Sequence, residues 1–300
     1  MPIIVGVARS GTTLLRLMLD AHPELAITHE AGFVPAVSNL ANPLSRMFYR
    51  RIGHAIKLGN WLGSLREEFY RTLTTASNWN DFHVSDKNFR EALLRIEPFT
   101  IAEGLRTFFQ FYARRFDKPR WGDKTPFYNQ HLETVESVLP EAHFIHIIRD
   151  GRDAALSGKG LPFVARDIEE IGRNWSQQIL NTRRQARSCR RYLEVRYEDL
   201  LVKTTEVLQK ICAFVDLTYE PSMERYYQQA PERMAELSAT YNSDGSVAAT
   251  KEARLHRHRL TAQPPEPSRI GRWKTEMTKE ELVRFNKVAG PLLRELGYEE

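Results

Sequence analysis

Residues 4–15 read IVGVARSGTTLL. Gly6 and Gly11 keep the G-x-x-x-x-G spacing of a triphosphate-binding loop, but Thr12 stands where that motif carries lysine. The backbone N–H groups of Gly11, Thr12 and Thr13 fall where a helix would begin, so they and the helix dipole can bind an anion, and the threonine hydroxyls add donors. Without the lysine, the β- and γ-phosphates of a magnesium-bound triphosphate lose their usual cation. Arg9 places a positive charge elsewhere in the loop, which suits a single 5′-phosphate carrying one further anionic group.

Arg149 closes the apolar run HFIHII (143–148), and Ser157 follows eight residues later, about two helical turns on. That spacing can grip a second phosphate. Arg152 lies between them, either as a further ligand or as an exposed helix-start charge. The stretch LAIT (25–28) delivers His29 and Glu30 to a strand end, the edge at which open α/β sheets place their chemistry. Glu30 is there either a surface carboxylate or a general base. His29 is the second candidate base, although a lone histidine near a strand end is more often packed or solvated.

The elements that must position these residues alternate strand and helix. IIVGV reads as a buried parallel strand, and Thr12 to Ala21 as a helix packed on a sheet, stopped by Pro23. LAIT, HFIHII and LEVRY (193–197) are further strands, and Thr204 to Val215 is amphipathic. Thr125 and Pro126 supply an N-cap and a first-turn proline for a helix running to Leu139, with Lys124 just ahead of it. The pattern predicts one α/β domain over 1–300 with a mostly parallel, P-loop-like sheet flanked by helices. Two segments interrupt it: residues 33–118, rich in aromatics and arginine and read as a helical cap insertion, and residues 231–268, polar and read as a long surface loop, either a lid or disordered.

Composition adds bounds. A formal net charge of +5 and a pI of about 9.2 favour anionic ligands, but the basic residues are spread and no nucleic-acid-binding motif accompanies them. The two cysteines, Cys189 and Cys212, suggest neither a disulfide framework nor a zinc site, and a reducing cytoplasm is the expected setting. No signal-type segment or apolar run of about 18 residues is present, so no membrane partner is expected. The first strand starts at about Pro2, which fits a soluble protein or a domain cut from a longer polypeptide.

The segment GVARSGTTLLRLMLDAHPELAITHEA resembles the 5′-phosphosulfate loop of sulfotransferases that use 3′-phosphoadenosine 5′-phosphosulfate (PAPS), and most of all the tyrosylprotein sulfotransferase branch. The likeness continues through GDKTPF (122–127), FIHIIRDGRDAALS (144–157), VRYEDL (195–200), and IGRWK with GPLLRELGY near the C-terminus. It implies sulfuryl transfer from PAPS to a hydroxyl acceptor without a metal, leaving 3′,5′-adenosine bisphosphate (PAP). Arg9, Ser10, Gly11, Thr12 and Thr13 would hold the 5′-phosphosulfate, Arg149 and Ser157 the 3′-phosphate, and Tyr197 would touch the cofactor. Glu30 would be the general base, and Arg9 and Lys124 would stabilise charge on the transferring group. Arg272 would be a cationic lid residue, with Trp273 either packed under it or filling core. A further arginine that the branch places beyond the serine falls on Leu161 here, so that part of the 3′-phosphate grip is either absent or supplied by Lys159.

The acceptor stays open among a peptide tyrosine, a small hydroxylated molecule, a glycan and a carrier-bound β-hydroxyacyl group. The aromatic-rich cap, with Trp61 and Trp79, suggests an apolar or aromatic portion. The rival enzymatic reading is a P-loop small-molecule kinase using ATP and magnesium, with Asp150 as its metal-binding acid. A non-catalytic module would instead dock an acidic partner on the basic run TRRQARSCRR (182–191), a run that more often forms a solvated helix face.

Overall fold

The computed structural model describes residues 1–40, 65–161, 164–242 and 244–298. The strands and helices, in chain order, are β1 (Pro2–Val5), α1 (Thr12–Asp20), β2 (Leu25–His29), α2 (Val34–Leu40), α3 (Leu65–Thr74), α4 (Asp86–Leu94), α5 (Ile101–Arg114), β3 (Arg120–Lys124), α6 (Leu132–Val138), β4 (His143–Ile148) and α7 (Gly151–Gly158). They continue with α8 (Ile168–Ala186), β5 (Tyr192–Arg196), α9 (Tyr197–Val202), α10 (Thr204–Phe214), α11 (Ala230–Ala235), β6 (Thr240–Tyr241), β7 (Val247–Ala249), α12 (Lys251–His258), α13 (Trp273–Glu276) and α14 (Lys279–Glu295). Short 3₁₀ turns link several of them.

Five strands form one parallel sheet in the order β2-β3-β1-β4-β5. The α/β class expected from the alternation is the class observed. Ile3, Ile4 and Val5, like Phe144, Ile145 and Ile147, are fully buried because helices cover both sheet faces, so these strands read as unbroken apolar runs. One cluster packs β1 and β4 against the cap, and a second packs Ile4, Ile27, Ile145 and Ile147 against α1, α9 and α10.

β3 is a strand that periodicity does not reveal. RWGDK has no apolar alternation, yet it is the second strand of the sheet, pairing Ile4 with Lys124 on one side and His29 with Lys124 on the other. Its place between two apolar strands imposes the extended backbone. A Cβ on Gly122 would sit 2.7 Å from the Pro2 carbonyl oxygen, so the strand can close on β1 only with glycine there.

The helix expected from Thr125 to Leu139 is instead a 3₁₀ turn, Pro126–Gln130, a break at His131, and then α6. Thr125 does not cap it. Its hydroxyl donates to Asp123 Oδ2 at 2.9 Å and accepts from the Gly32 N–H at 3.3 Å, so the side chain is committed to the neighbouring loop.

The insertion between 33 and 118 is helical where described, built from α2 to α5 around Phe69, Phe82, Phe89 and Phe108. Trp79 belongs to this core. It is 6% exposed, packs on Phe82, Phe89 and Phe108, and donates its indole N–H to Asp86 at 2.7 Å, so it does not face an acceptor; Trp61 lies outside the described residues.

The 231–268 segment differs from the structureless loop expected. It holds α11, the β6–β7 hairpin and α12. Their apolar positions are few because buried charge takes their place. Arg254 of α12 forks onto Asp81 of the cap at 2.9 and 2.6 Å, and Arg233 of α11 does the same to Asp20 of α1 at 2.6 and 3.0 Å.

The basic run is largely engaged within the chain. Arg183 bridges Glu194 and Glu295, and Arg191 pairs with Asp216.

Candidate active site

β1 ends at Val5, and the chain turns through Ser10 N–H to Val7 carbonyl, 3.1 Å, into α1. Arg9 and Gly11 both have positive φ, 71° and 99°. Gly11 caps α1 without a side-chain cap bond, so the first-turn N–H groups stay open for an anion. Ser10 Oγ beside them is buried without a partner. A Cβ on Gly11 would lie 2.3 Å from Tyr197 Cδ2. The Gly11→Ala variant should therefore shift the loop off Tyr197, with about 1–3 kcal/mol of backbone strain. We expect it to lower both the melting temperature and PAP affinity; calorimetry showing parental affinity would remove the loop from the donor site.

Arg149 and Ser157 meet the loop from β4 and α7. Arg9 Nε donates to Ser157 Oγ at 3.1 Å, and Arg149 Nη1 donates to the Arg9 carbonyl at 3.3 Å. Arg149 is 5% exposed, lies 4.5 Å from the Tyr197 ring centroid, donates to the Arg269 carbonyl at 2.9 Å, and keeps Nε buried without a partner. Burial, and the like charges of Arg149, Arg257 and Arg269, hold Arg9 below the usual guanidinium range. Cations gathered this closely can hold an anion.

Arg152 is not the exposed helix-start charge of the alternative reading. It is 1% exposed, bonds Asp150 through Nε and Nη2 at 3.0 and 2.8 Å, and lies 3.6 Å from the Trp273 ring centroid. Asp150 is thereby committed, since it also caps α7 through the Arg152 N–H at 2.9 Å. Trp273 is buried and packs under Arg152, which fits the core-filling alternative. Arg272 lines the cleft but is held by Glu276 one turn on, at 2.7 and 2.6 Å. Lys159 turns outward to Glu281 at 2.9 Å, while Leu161 lines a side cavity together with Arg257 and Arg259 of the lid.

At the other end of the loop, Lys124 Nζ lies 2.6 Å from Glu30 Oε1, with the lysine fully buried and the carboxylate 46% exposed to the cleft. Burial pushes the Glu30 carboxyl up, but the charge and hydrogen bond of Lys124 more than offset this and leave it below the usual range. Burial likewise lowers Lys124, opposed by Glu30. Asp123, fully buried, ties the two together: it accepts from Thr28 Oγ1 at 2.6 Å, the Ala31 N–H at 3.2 Å and Thr125 Oγ1 at 2.9 Å. Asp123, Arg269 and the lid residues Arg254, Arg257 and His258 are the site positions that motif reading passed over. Asp123 had a signal, its place beside Lys124; the lid residues had none, because the polar segment carries no recognisable spacing.

Arg9, Gly11, Thr12, Thr13, Glu30, Arg149, Ser157, Tyr197 and Arg272 all line one cleft of about 1560 Å³. Single-ligand pockets run to roughly 1,000 Å³, so this one has room for two reactants.

The sequence model of the Sulfotransferase family matches residues 3–221, a span that takes in the loop, Glu30, Lys124, Arg149, Ser157 and Tyr197. The chain belongs to the sulfotransferase family. Among curated sulfotransferases, protein-tyrosine sulfotransferase A of Caenorhabditis elegans is 23% identical over 99% of this chain and 66% of its own length. Two solved structures share the fold. The sulfotransferase domain from the Synechococcus PCC 7002 olefin synthase has a TM-score of 0.59 at 20% identity, covering 100% of this chain and 95% of that one. The sulfotransferase domain from the curacin biosynthetic pathway has 0.58 at 19%, covering 100% and 98%. The chain thus spans about two thirds of the length of the nematode relative. Among the described residues, no helix is long and apolar enough to cross a membrane.

Proposed function

We propose that this sulfotransferase moves a sulfuryl group from PAPS to a hydroxyl acceptor, with Glu30 as the general base. The observation that carries the reading is the Lys124–Glu30 pair, 2.6 Å apart, at one end of a phosphate loop that lacks its lysine. The donor supplies an activated sulfuryl group and its own leaving phosphate. Gly11, Thr12 and Thr13 would hold the 5′-phosphate on the open N–H groups of α1, which Ser10 Oγ, buried and unpartnered, is placed to supplement. Arg149 and Ser157 would hold the 3′-phosphate, and the orphaned Arg149 Nε fits that role. Tyr197 packs beneath Gly11 and Arg149 and keeps both in place.

Arg9 and Lys124 would stabilise the negative charge that accumulates on the transferring group. The acceptor oxygen forms the new bond to sulfur as the bond from sulfur to the phosphate oxygen breaks, and the acceptor proton passes to Glu30 Oε. The pairing with Lys124 keeps Glu30 ionised and ready at neutral pH. The acceptor would be a peptide tyrosine, a hydroxylated small molecule or a carrier-bound acyl chain. Ala31, Gly32, Ala36, Ala76 and Phe127 line the same cleft and give it an apolar portion.

Thermal denaturation with PAP, and separately with ATP and magnesium, tests the donor assignment. At about 100 times its dissociation constant a ligand stabilises by ~2.7 kcal/mol, so PAP should raise the melting temperature clearly. A shift with ATP and magnesium alone would favour a kinase.

A further inference from the structure

Two imidazoles in the cleft have no part in the chemistry so far assigned. His29 ends β2 beside Glu30, is 5% exposed, and has no hydrogen-bond partner on either ring nitrogen. His258 ends α12 in the lid and meets His29 edge-on, with ring centroids 5.8 Å apart and planes at 80°. Among the described residues its ring nitrogens likewise make no hydrogen bond; only its carbonyl is engaged, by Thr261. A polar group kept buried without a partner, as both His29 ring nitrogens are, costs stability; the His258 ring is half-buried and lines the cleft, where a ligand can meet its nitrogens.

The charges around His258 define which ligand. Burial first, then Lys124 and, more weakly, Arg9 and Arg257, push its pKa down to about 3 against the opposing pull of Glu30. The ring is therefore neutral over the whole working range, with one N–H donor and one bare nitrogen. Such a ring is no competitor for Glu30 as base at neutral pH. It is suited to donate a hydrogen bond to an anionic oxygen without adding a full charge, a role neutral histidine fills elsewhere.

The ring also stands on a fixed element. Arg254, one turn earlier on α12, is 8% exposed, forks onto Asp81 of the cap, and donates to the Ser238 carbonyl at 2.6 Å. Glu30 and Arg9 line the cleft with His258, and Lys124 is bonded to Glu30. The charges of Lys124, Glu30 and Arg9 all act on the His258 ring, which puts it on the same side of the cleft as the groups assigned to the transfer.

We propose that His258 is a catalytic residue contributed by the lid, whose ring N–H donates a hydrogen bond to a sulfuryl oxygen of PAPS, with His29 as the positioning residue that fixes the ring edge. No proton changes hands in this contact. The inference rests on the donor assignment above and adds a lid-borne group to it.

The test compares PAPS with PAP by calorimetry on the whole chain, because PAP lacks the sulfuryl group. The parent should bind both. His258→Ala should weaken PAPS roughly tenfold while leaving PAP within about twofold, and turnover of bound PAPS should fall by up to ~10²-fold. His258→Gln retains a side-chain N–H and should recover part of the loss. His29→Phe should show the same PAPS-specific pattern at smaller size. Equal losses for PAP and PAPS in His258→Ala would make the residue a lid closer only, and unchanged affinities with parental turnover would remove it from the site; either result overturns the inference. Failure of the parent to bind PAP or PAPS would instead overturn the donor assignment.

Discussion

Lys124→Ala should lower single-turnover conversion of bound PAPS by about 10²- to 10³-fold, the usual cost of removing a donor aimed at developing charge. The lysine is fully buried and its ammonium lies 2.6 Å from Glu30, so the substitution also changes the base. In the parent, burial raises Glu30 and Lys124 more than reverses this. Without Lys124 the largest downward contributions are gone and the upward push of burial is opposed by the smaller ones of His258 and Arg254, so the carboxyl holds its proton to higher pH. A base works only when ionised. The acid limb of the pH–rate profile should therefore move to higher pH in the variant, in addition to the drop in the plateau. Glu30→Gln should lose the limb altogether. Rates within a few-fold of the parent, or an acid limb that does not move, would take Lys124 out of the transfer step.

The second large effect concerns stability. Arg233→Ala should destabilise the fold by about 3–5 kcal/mol in urea denaturation, the range for breaking a buried ion pair from one side. Arg233 is 6% exposed and Asp20 1%. The guanidinium also donates to Glu236 at 3.2 Å and to the Tyr112 hydroxyl at 2.7 Å, and it lies 3.7 Å from the Phe116 ring centroid. Burial pushes Asp20 up, and Arg233, with Lys118 and Arg16, brings it below the usual carboxylate range. Its ionised form thus contributes stability that is present above the unfolded carboxylate pKa and lost as pH falls through the lower folded value. In the variant Asp20 protonates at higher pH, so the deficit should be full at neutral pH and narrow on acidification. A deficit under about 1 kcal/mol would mean that the network does not hold the lid. Since Arg233 joins α11 to α1 and α5, donor affinity should fall with it.

Much of the donor side was legible in the sequence because it depends on local backbone. Gly6, Arg9 and Gly11 sit in one strand–loop–helix unit, and the eight-residue spacing of Arg149 and Ser157 spans one strand end and one helix, so neighbours in sequence are neighbours in space. The buried strands announced themselves through unbroken apolar runs. β3 did not, since an extended RWGDK is stable only between β2 and β1, and with it went the register that sets Lys124 opposite His29. The lid gave no signal either. Its helices are held by Arg233 on Asp20 and Arg254 on Asp81, ion pairs across 213 and 173 residues, and charge pairing at such range leaves no periodicity to read. Sequence alone therefore determined the fold class, the strand–loop–helix unit with open N–H groups and the identity of the charged groups. Only the tertiary structure decided that Lys124 bonds Glu30, that Arg152 and Trp79 serve the core, and that His258 faces His29, because each depends on which distant side chain burial leaves as the available partner.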